Sequence, residues 1–90
     1  MTIPIGTLWQ RLTKYEGHDF DTISGKPFTY EIAGNIFVPS RTKFNLGKSD
    51  FEKALALVPI GGPGEVSNLV RGSAYIWAVL HDQRIRQKDW

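Results

Sequence analysis

The stretch from residue 36 to residue 49 combines side chains that suit the binding of phosphate groups. It contains three cations and no acidic residue, although the whole chain has a net charge of only +2. Arg and Lys supply positive charge, while Ser, Thr and Asn supply the neutral donors that often contact nucleic-acid backbones. The candidate binding residues here are Ser40, Arg41, Thr42, Lys43, Asn45 and Lys48. The alternative is a solvated loop whose charges contribute only to solubility.

The same stretch leads into a predicted helix. Ser49 and Glu52 have the spacing of a capping box, and Asp50 lies in the opening turn, where the helix dipole favours negative charge. The free N–H groups at a helix start also attract phosphate. The sequence therefore predicts a phosphate-binding loop followed by a helix that Ser49 caps.

A second candidate for nucleic-acid binding surrounds the glycine-rich segment 61–64. Two short helices joined there would form a helix-turn-helix unit, whose second helix would present Ser67, Asn68 and Arg71 to base edges. The loop of residues 59–64 is longer than the usual turn of about three or four residues. An ordinary helical hairpin is therefore the favoured alternative, and Arg71 is kept as a candidate contact.

Residues able to perform catalysis or bind a metal are few. Cysteine is absent, and the two histidines, His18 and His81, lie beside carboxylates without a spacing that would bring three or four ligands together. Ser73, His81 and Asp82 could form a triad, but the G-x-S-x-G elbow is missing. The glycines at 61–64 fit neither a Walker loop nor a dinucleotide fingerprint. We expect no enzymatic activity, no metal and no cofactor.

Aromatic residues in the middle of the chain offer a further binding mode. Phe28, Tyr30 and Phe37 lie in predicted strands, where sheet aromatics can stack on single-stranded bases. The alternation of Phe28 and Tyr30 with polar residues assigns both to the core. Phe37 points away from its apolar neighbours, and its exposure is left open.

The elements that must position these side chains are short. Thr7 and Gln10 have capping-box spacing, which predicts a helix over Leu8–Glu16 that ends at a left-handed Gly17. A turn at Gly34-Asn35 joins two predicted strands, residues 28–32 and 36–38. Residues 20–23 add a third strand, and a proline at position 39 should end the pairing.

The second half of the chain has helical periodicity. Apolar residues recur in the helix after Ser49, which a proline at position 59 closes, in Glu65–Val70 and in Tyr75–Leu80. Residues 83–90 are polar and basic; they extend the last helix or form a flexible tail. Trp90 is expected to be exposed or bound to a partner.

Composition places the chain among ordinary globular domains. Hydrophobic residues make up 41% and charged residues 22% of its 90 residues, which suits one small core and argues against disorder. The apolar run 74–80 is far shorter than the roughly 20 residues of a membrane span, and the N-terminus lacks signal-peptide features. We expect a single domain over residues 1–90, located in the cytoplasm and without membrane contact.

Together these features predict an α+β fold: an N-terminal helix, a small two- or three-stranded antiparallel sheet, and two or three helices packed on one face. The function they favour is nucleic-acid binding or regulation through the basic loop. The alternative is a protein-interaction or dimerisation module that uses an apolar patch such as Phe37, Trp77 or Trp90. A homodimer or a larger assembly is an open possibility.

Overall fold

The computed structural model describes residues 3–41, 45–70 and 72–90. Within these residues the helices are α1 (Ile5–Lys14), α2 (Lys48–Leu55), α3 (Ser73–Leu80) and α4 (Gln83–Arg86), with a 3₁₀ turn at Pro63–Glu65. The strands are β1 (Phe20–Asp21), β2 (Pro27–Phe28), β3 (Tyr30–Ala33), β4 (Ile36–Pro39) and β5 (Leu46–Gly47). This order confirms the predicted α+β fold. None of the helices in the described part of the chain is long and apolar enough to cross a membrane.

Helix α1 begins earlier than predicted. Its N-cap is Pro4, and no side chain caps it, so the capping box of Thr7 and Gln10 is wrong. The Thr7 N–H instead donates to the Pro4 carbonyl oxygen, because Thr7 already lies inside the first turn. Leu8 and Leu12 recur at helical spacing in the sequence, and together with Trp9 they form the buried face of α1.

The end of α1 closes one edge of the sheet. Gly17 has φ +81°, which confirms the predicted left-handed residue, and its N–H donates to the Tyr30 carbonyl oxygen at 2.9 Å. Glu16 Oε1 accepts the N–H of Ile32 at 2.7 Å. On the outer edge of β3 the Tyr30 carbonyl oxygen and the Ile32 N–H are therefore already hydrogen-bonded and cannot pair with another strand.

The strands form two small antiparallel sheets. β3 and β4 are joined at Gly34-Asn35, as predicted, and Gly34 has the positive φ (+62°) that this two-residue turn requires. β5 pairs with the other side of β4. β1 pairs with β2 in a separate two-stranded sheet, so the third predicted strand does not extend the main hairpin.

The register of the hairpin decides the position of Phe37. Ile32 lies directly opposite Phe37, and residues opposite each other share a face of the sheet, so Phe37 joins Tyr30 in the core. Phe37 is 0% exposed, and its ring stacks on Tyr30 with centroids 4.5 Å apart. Phe28 and Tyr30 are buried, as predicted. A stacking platform of these three aromatics for bases is therefore wrong.

Helices cover the buried face of the sheet through aromatic contacts. Phe51 of α2 lies 4.9 Å from Phe37 and 5.4 Å from Trp9, measured between ring centroids. Tyr75 of α3 lies 5.0 Å from Phe28. The three longer helices thus meet over one core.

The segment Glu65–Val70, predicted as a helix, is not an α-helix. The 3₁₀ turn is followed by further turns, in which the N–H groups of Leu69 and Val70 both donate to the Val66 carbonyl oxygen. Val66 and Val70 are buried. Their spacing in the sequence therefore belongs to a series of turns that packs on the core, and not to the face of an α-helix. Short segments of this length depend on tertiary contacts for their conformation.

Gly72 starts α3 in a place that only glycine fits. Its φ is +70°, and a Cβ atom there would lie 2.6 Å from the Leu46 side chain. This close approach brings α3 against β5. The pair Gly72-Ser73 predicts either a break or a new helix start, and Gly72 is indeed the N-cap of α3.

The C-terminal segment packs against the rest of the molecule. Ile85 of α4 is fully buried, and Trp90 Nε1 donates to the Leu80 carbonyl oxygen at 2.6 Å. Arg11 forms an ion pair with Asp89 at 2.5 Å. Trp90 is partly buried against the core, so the expectation of an exposed residue is wrong, while its alternative, binding to a partner, stays a prediction.

Candidate functional site

The first part of the basic stretch leaves the sheet at the end of β4. The Ser40 N–H donates to the Thr29 carbonyl oxygen at 2.8 Å, and the Thr29 N–H donates to Ser40 Oγ at 2.9 Å. Arg41 is exposed, and its Nη1 donates to the Pro27 carbonyl oxygen at 3.3 Å. This contact uses one of the five N–H donors of the guanidinium.

The last part of the stretch enters α2. Asn45 is exposed, and Lys48 is the first residue of the helix. The Lys48 N–H donates to the Asn35 carbonyl oxygen at 2.9 Å, and its ammonium lies 5.8 Å from the ring centroid of Trp9. Lys48 lines an open groove of about 510 Å³ between the hairpin turn and the start of α2.

The candidates at the two ends of the stretch do not form one cluster. Arg41 follows the Pro39 end of β4, whereas Lys48 follows Gly47, which pairs with Ile36 at the other end. The rise along β4 separates these ends by about 10 Å. The side chains of Arg41 and Lys48 therefore start from opposite ends of the strand. Thr42, Lys43 and Arg71 lie outside the described residues.

The start of α2 differs from its prediction. Gly47 is the N-cap, in an extended conformation that continues β5, and no side chain caps the helix. Ser49 therefore lies inside the first turn, and its capping box with Glu52 is wrong. Asp50 does occupy the first turn, as expected. The pairing of β5 with β4 leads the backbone directly into the helix, which therefore starts two residues earlier than predicted.

The helix-turn-helix interpretation fails in the described residues. Ser67 and Asn68 are exposed, but they lie in turns after the 3₁₀ segment and on no α-helix. The Ser67 hydroxyl donates to the Gly64 carbonyl oxygen at 3.0 Å. The second helix that should present side chains to a groove is absent from 65–70.

Several other cations have intramolecular partners. Arg84 bonds to both carboxylate oxygens of Asp82, donates to the Asp19 carbonyl oxygen at 2.8 Å, and lies 3.9 Å from the ring centroid of Phe20. Burial acts to raise the pKa of Asp82, but the hydrogen bonds and charge of Arg84 outweigh it, and that pKa is lowered. Arg86 donates to the main-chain oxygen of Trp90. These groups stabilise the C-terminal packing.

His81 has a structural role between α3 and the preceding loop. Its Nε2 accepts the Ile60 N–H at 3.0 Å, and its Nδ1 lies 3.1 Å from the Trp77 carbonyl oxygen. Trp77 stacks on the imidazole and donates its Nε1–H to the Ile60 carbonyl oxygen. These contacts require the neutral ring with the proton on Nδ1. Burial lowers the pKa of His81; the Trp77 carbonyl opposes this and the charge of Arg86 adds to it.

Residues outside the basic stretch form an open cleft of about 590 Å³. It is lined by Gln83, Arg86, Gln87, Lys88 and Trp90. Gln87 and Lys88 are consecutive left-handed residues, with φ +48° and +64°. The basic composition of this segment was visible in the sequence, but the turn that brings Trp90 beside α4 was not. Within the described ranges no group of three metal-ligating side chains occurs.

Comparison with known proteins gives no relative from which a role could be transferred. No protein-family model, no curated protein and no solved structure matches this chain.

Proposed function

We propose that this chain is a non-catalytic domain that binds nucleic acid by contacting its phosphate backbone with residues 40–48. The observation that carries the proposal is that residues 36–49 contain three cations and no acidic residue. Among the described residues, ion pairs join Arg11 to Asp89 and Arg84 to Asp82, and none involves Arg41 or Lys48. Within the described part of the chain no carboxylate lies within ion-pair distance of either cation, although Glu52 lines the same groove as Lys48.

The separation of Arg41 and Lys48 favours a polymer as the ligand. The two cations follow opposite ends of β4, about 10 Å apart along the strand, a spacing that suits successive phosphates of one nucleic-acid strand. Asn45 is exposed between them and supplies a neutral donor. Thr42 and Lys43 belong to the proposal on their sequence positions alone. Such a ligand is met in the cytoplasm, which the proposal takes as the location.

The decisive experiment measures binding of labelled single- and double-stranded oligonucleotides as salt concentration is varied. Removing one phosphate contact lowers the slope of log affinity against log salt by about one unit. We expect this change for Arg41→Gln and for Lys48→Gln, with weaker binding in low salt. Lys14→Gln is the control, because Lys14 is an exposed cation on α1, outside residues 40–48.

The proposal is abandoned if the wild-type protein shows no salt-sensitive binding at about 50 mM salt, which favours even non-specific contacts. It is also abandoned if all three variants bind alike. Circular dichroism of each variant confirms that the fold is retained.

A protein-interaction module is the second candidate, and the exposed apolar side chains favour it. Leu57 is 49% and Leu69 52% exposed, and Ile36 lines the groove beside α2. Phe37 is excluded from such a patch because it is buried, and Trp77 and Trp90 are partly buried and hydrogen-bonded. An apolar interface changes little with salt. A mass above that of the monomer in light scattering, without oligonucleotide binding, would favour this candidate, including a homodimer.

A further inference from the structure

We infer that the cleft beside α4 is a binding site for a nucleoside phosphate, with the base against the Trp90 indole and the phosphate near Arg86 and Lys88. We call this site the α4 cleft; it is lined by Gln83, Arg86, Gln87, Lys88 and Trp90. The inference goes beyond the proposed function, because it needs neither Arg41 nor Lys48.

The chemistry of the lining selects an anionic ligand. Two of its five residues are cations and none is an acid. The two acids that adjoin lining residues in the sequence are both paired, Asp89 with Arg11 at 2.5 Å and Asp82 with Arg84 at 2.9 Å. Arg86 uses Nε and Nη2 on the main-chain oxygen of Trp90, which leaves Nη1 for a ligand. Lys88 is exposed.

The aromatic wall adds the second part of the ligand. The indole of Trp90 is held by the hydrogen bond from Nε1 to the Leu80 carbonyl oxygen, so the ring lies in a defined position at the cleft. Bases stack on such rings in single-strand-binding proteins. The exposed amides of Gln83 and Gln87 offer donors and acceptors to base edges, although Gln87 Nε2 already donates to the Arg84 carbonyl oxygen.

The size and the backbone of the cleft agree with a ligand site. Its volume of about 590 Å³ falls in the range of small-molecule sites. Gln87 and Lys88 both hold a conformation that non-glycine residues disfavour, and this turn places Lys88 and Trp90 around one opening. Unfavourable backbone conformations of this kind concentrate at functional sites.

The test follows the three indole N–H signals by NMR during titration with adenosine monophosphate. The Trp90 signal is identified by its absence in Trp90→Phe. We expect the Trp90 signal to shift with adenosine monophosphate and far less with ribose 5-phosphate, which has the phosphate but lacks the base. A decamer of deoxyadenosine, compared with an abasic decamer of equal charge, tests the same chemistry within a strand. A shift with the decamer alone assigns the site to a base in a strand.

Substitutions test the two halves of the site separately. Trp90→Leu should weaken binding about fivefold or more through loss of stacking, whereas Trp90→Phe retains part of it. Lys88→Gln should weaken binding, while Lys26→Gln, an exposed cation in the β1–β2 turn, serves as the matched control. Circular dichroism identifies any variant that does not fold, and Lys88→Gln keeps the test valid if Trp90→Leu fails to fold.

The inference is overturned if neither adenosine monophosphate nor the decamer moves the Trp90 signal, or if Lys88→Gln and Lys26→Gln bind alike. If Arg41→Gln loses oligonucleotide affinity and the Trp90 signal does not move, the proposed function is supported and the ligand site in the α4 cleft is refuted. If the Trp90 signal shifts and neither Arg41→Gln nor Lys48→Gln changes oligonucleotide binding, the ligand site is supported and the proposed function is refuted.

Discussion

Replacing Gly72 by alanine should destabilise the protein through two separate effects. The residue has φ +70°, where an L side chain costs roughly 1–2 kcal/mol. The added Cβ would also lie 2.6 Å from Leu46 Cδ2 and 3.0 Å from Cδ1. Because Leu46 is fully buried, its side chain can move only by disturbing the core, which costs about 1–3 kcal/mol. The expected loss is about 2–5 kcal/mol.

Such a loss is large for a chain of this size. A domain of 90 residues has a free energy of unfolding of about 5–14 kcal/mol. The melting temperature should fall by about 10 °C or more, since each kcal/mol shifts it by about 4–8 °C in a small domain. Urea unfolding of the wild-type protein and of Gly72→Ala measures the loss directly.

Gly34→Ala separates the backbone effect from the contact effect. Gly34 has φ +62°, but nothing lies within 4 Å of the position its Cβ would take. It should lose only the roughly 1–2 kcal/mol of the left-handed conformation. Equal losses in the two variants would refute the steric argument. If the argument is correct, the double variant Gly72→Ala/Leu46→Ala should lose less free energy of unfolding than the sum of the losses in the two single variants.

Two further predictions concern α2 and His81. Ser49→Ala should change the free energy of unfolding by less than about 0.5 kcal/mol, because Ser49 does not cap α2. Leu55→Ala should lower it by about 2–5 kcal/mol, because Leu55 is buried. A loss of about 1 kcal/mol for Ser49→Ala in thermal melts would show that Ser49 caps the helix after all. The neutral His81 contributes stability that is complete above about pH 6.5 and is lost as the pH falls towards its lowered folded-state pKa, with a slope of up to about 1.4 kcal/mol per pH unit. Urea unfolding between pH 5 and pH 8 should therefore show a weaker pH dependence in His81→Gln, and identical profiles would contradict the role of the Ile60–His81 hydrogen bond.

Charge patterning in the sequence indicated a candidate surface but not its shape. The acid-free stretch is visible from residue types alone, and Arg41 is indeed exposed. That Lys48 lies at the opposite end of β4 depends on the antiparallel pairing of β5. The α4 cleft was missed because its wall, Trp90, reaches α4 only through the turn at Gln87 and Lys88 and the hydrogen bond to Leu80.

The sequence by itself determined the features that depend on a few neighbouring residues: the left-handed Gly17, the Gly34-Asn35 turn, the apolar face of α1 and the general order of an N-terminal helix, strands and further helices. These follow from backbone sterics and side-chain periodicity, which act within one or two turns of chain. Only the tertiary structure decided which side of β4 is buried, since Phe37 takes its face from Ile32 across the hairpin. It also decided the start of α2 and the packing of the C-terminal segment. Each of these depends on partners distant in sequence, such as Arg11 with Asp89, whose contact forms only when the core brings α1 and the C-terminal segment together.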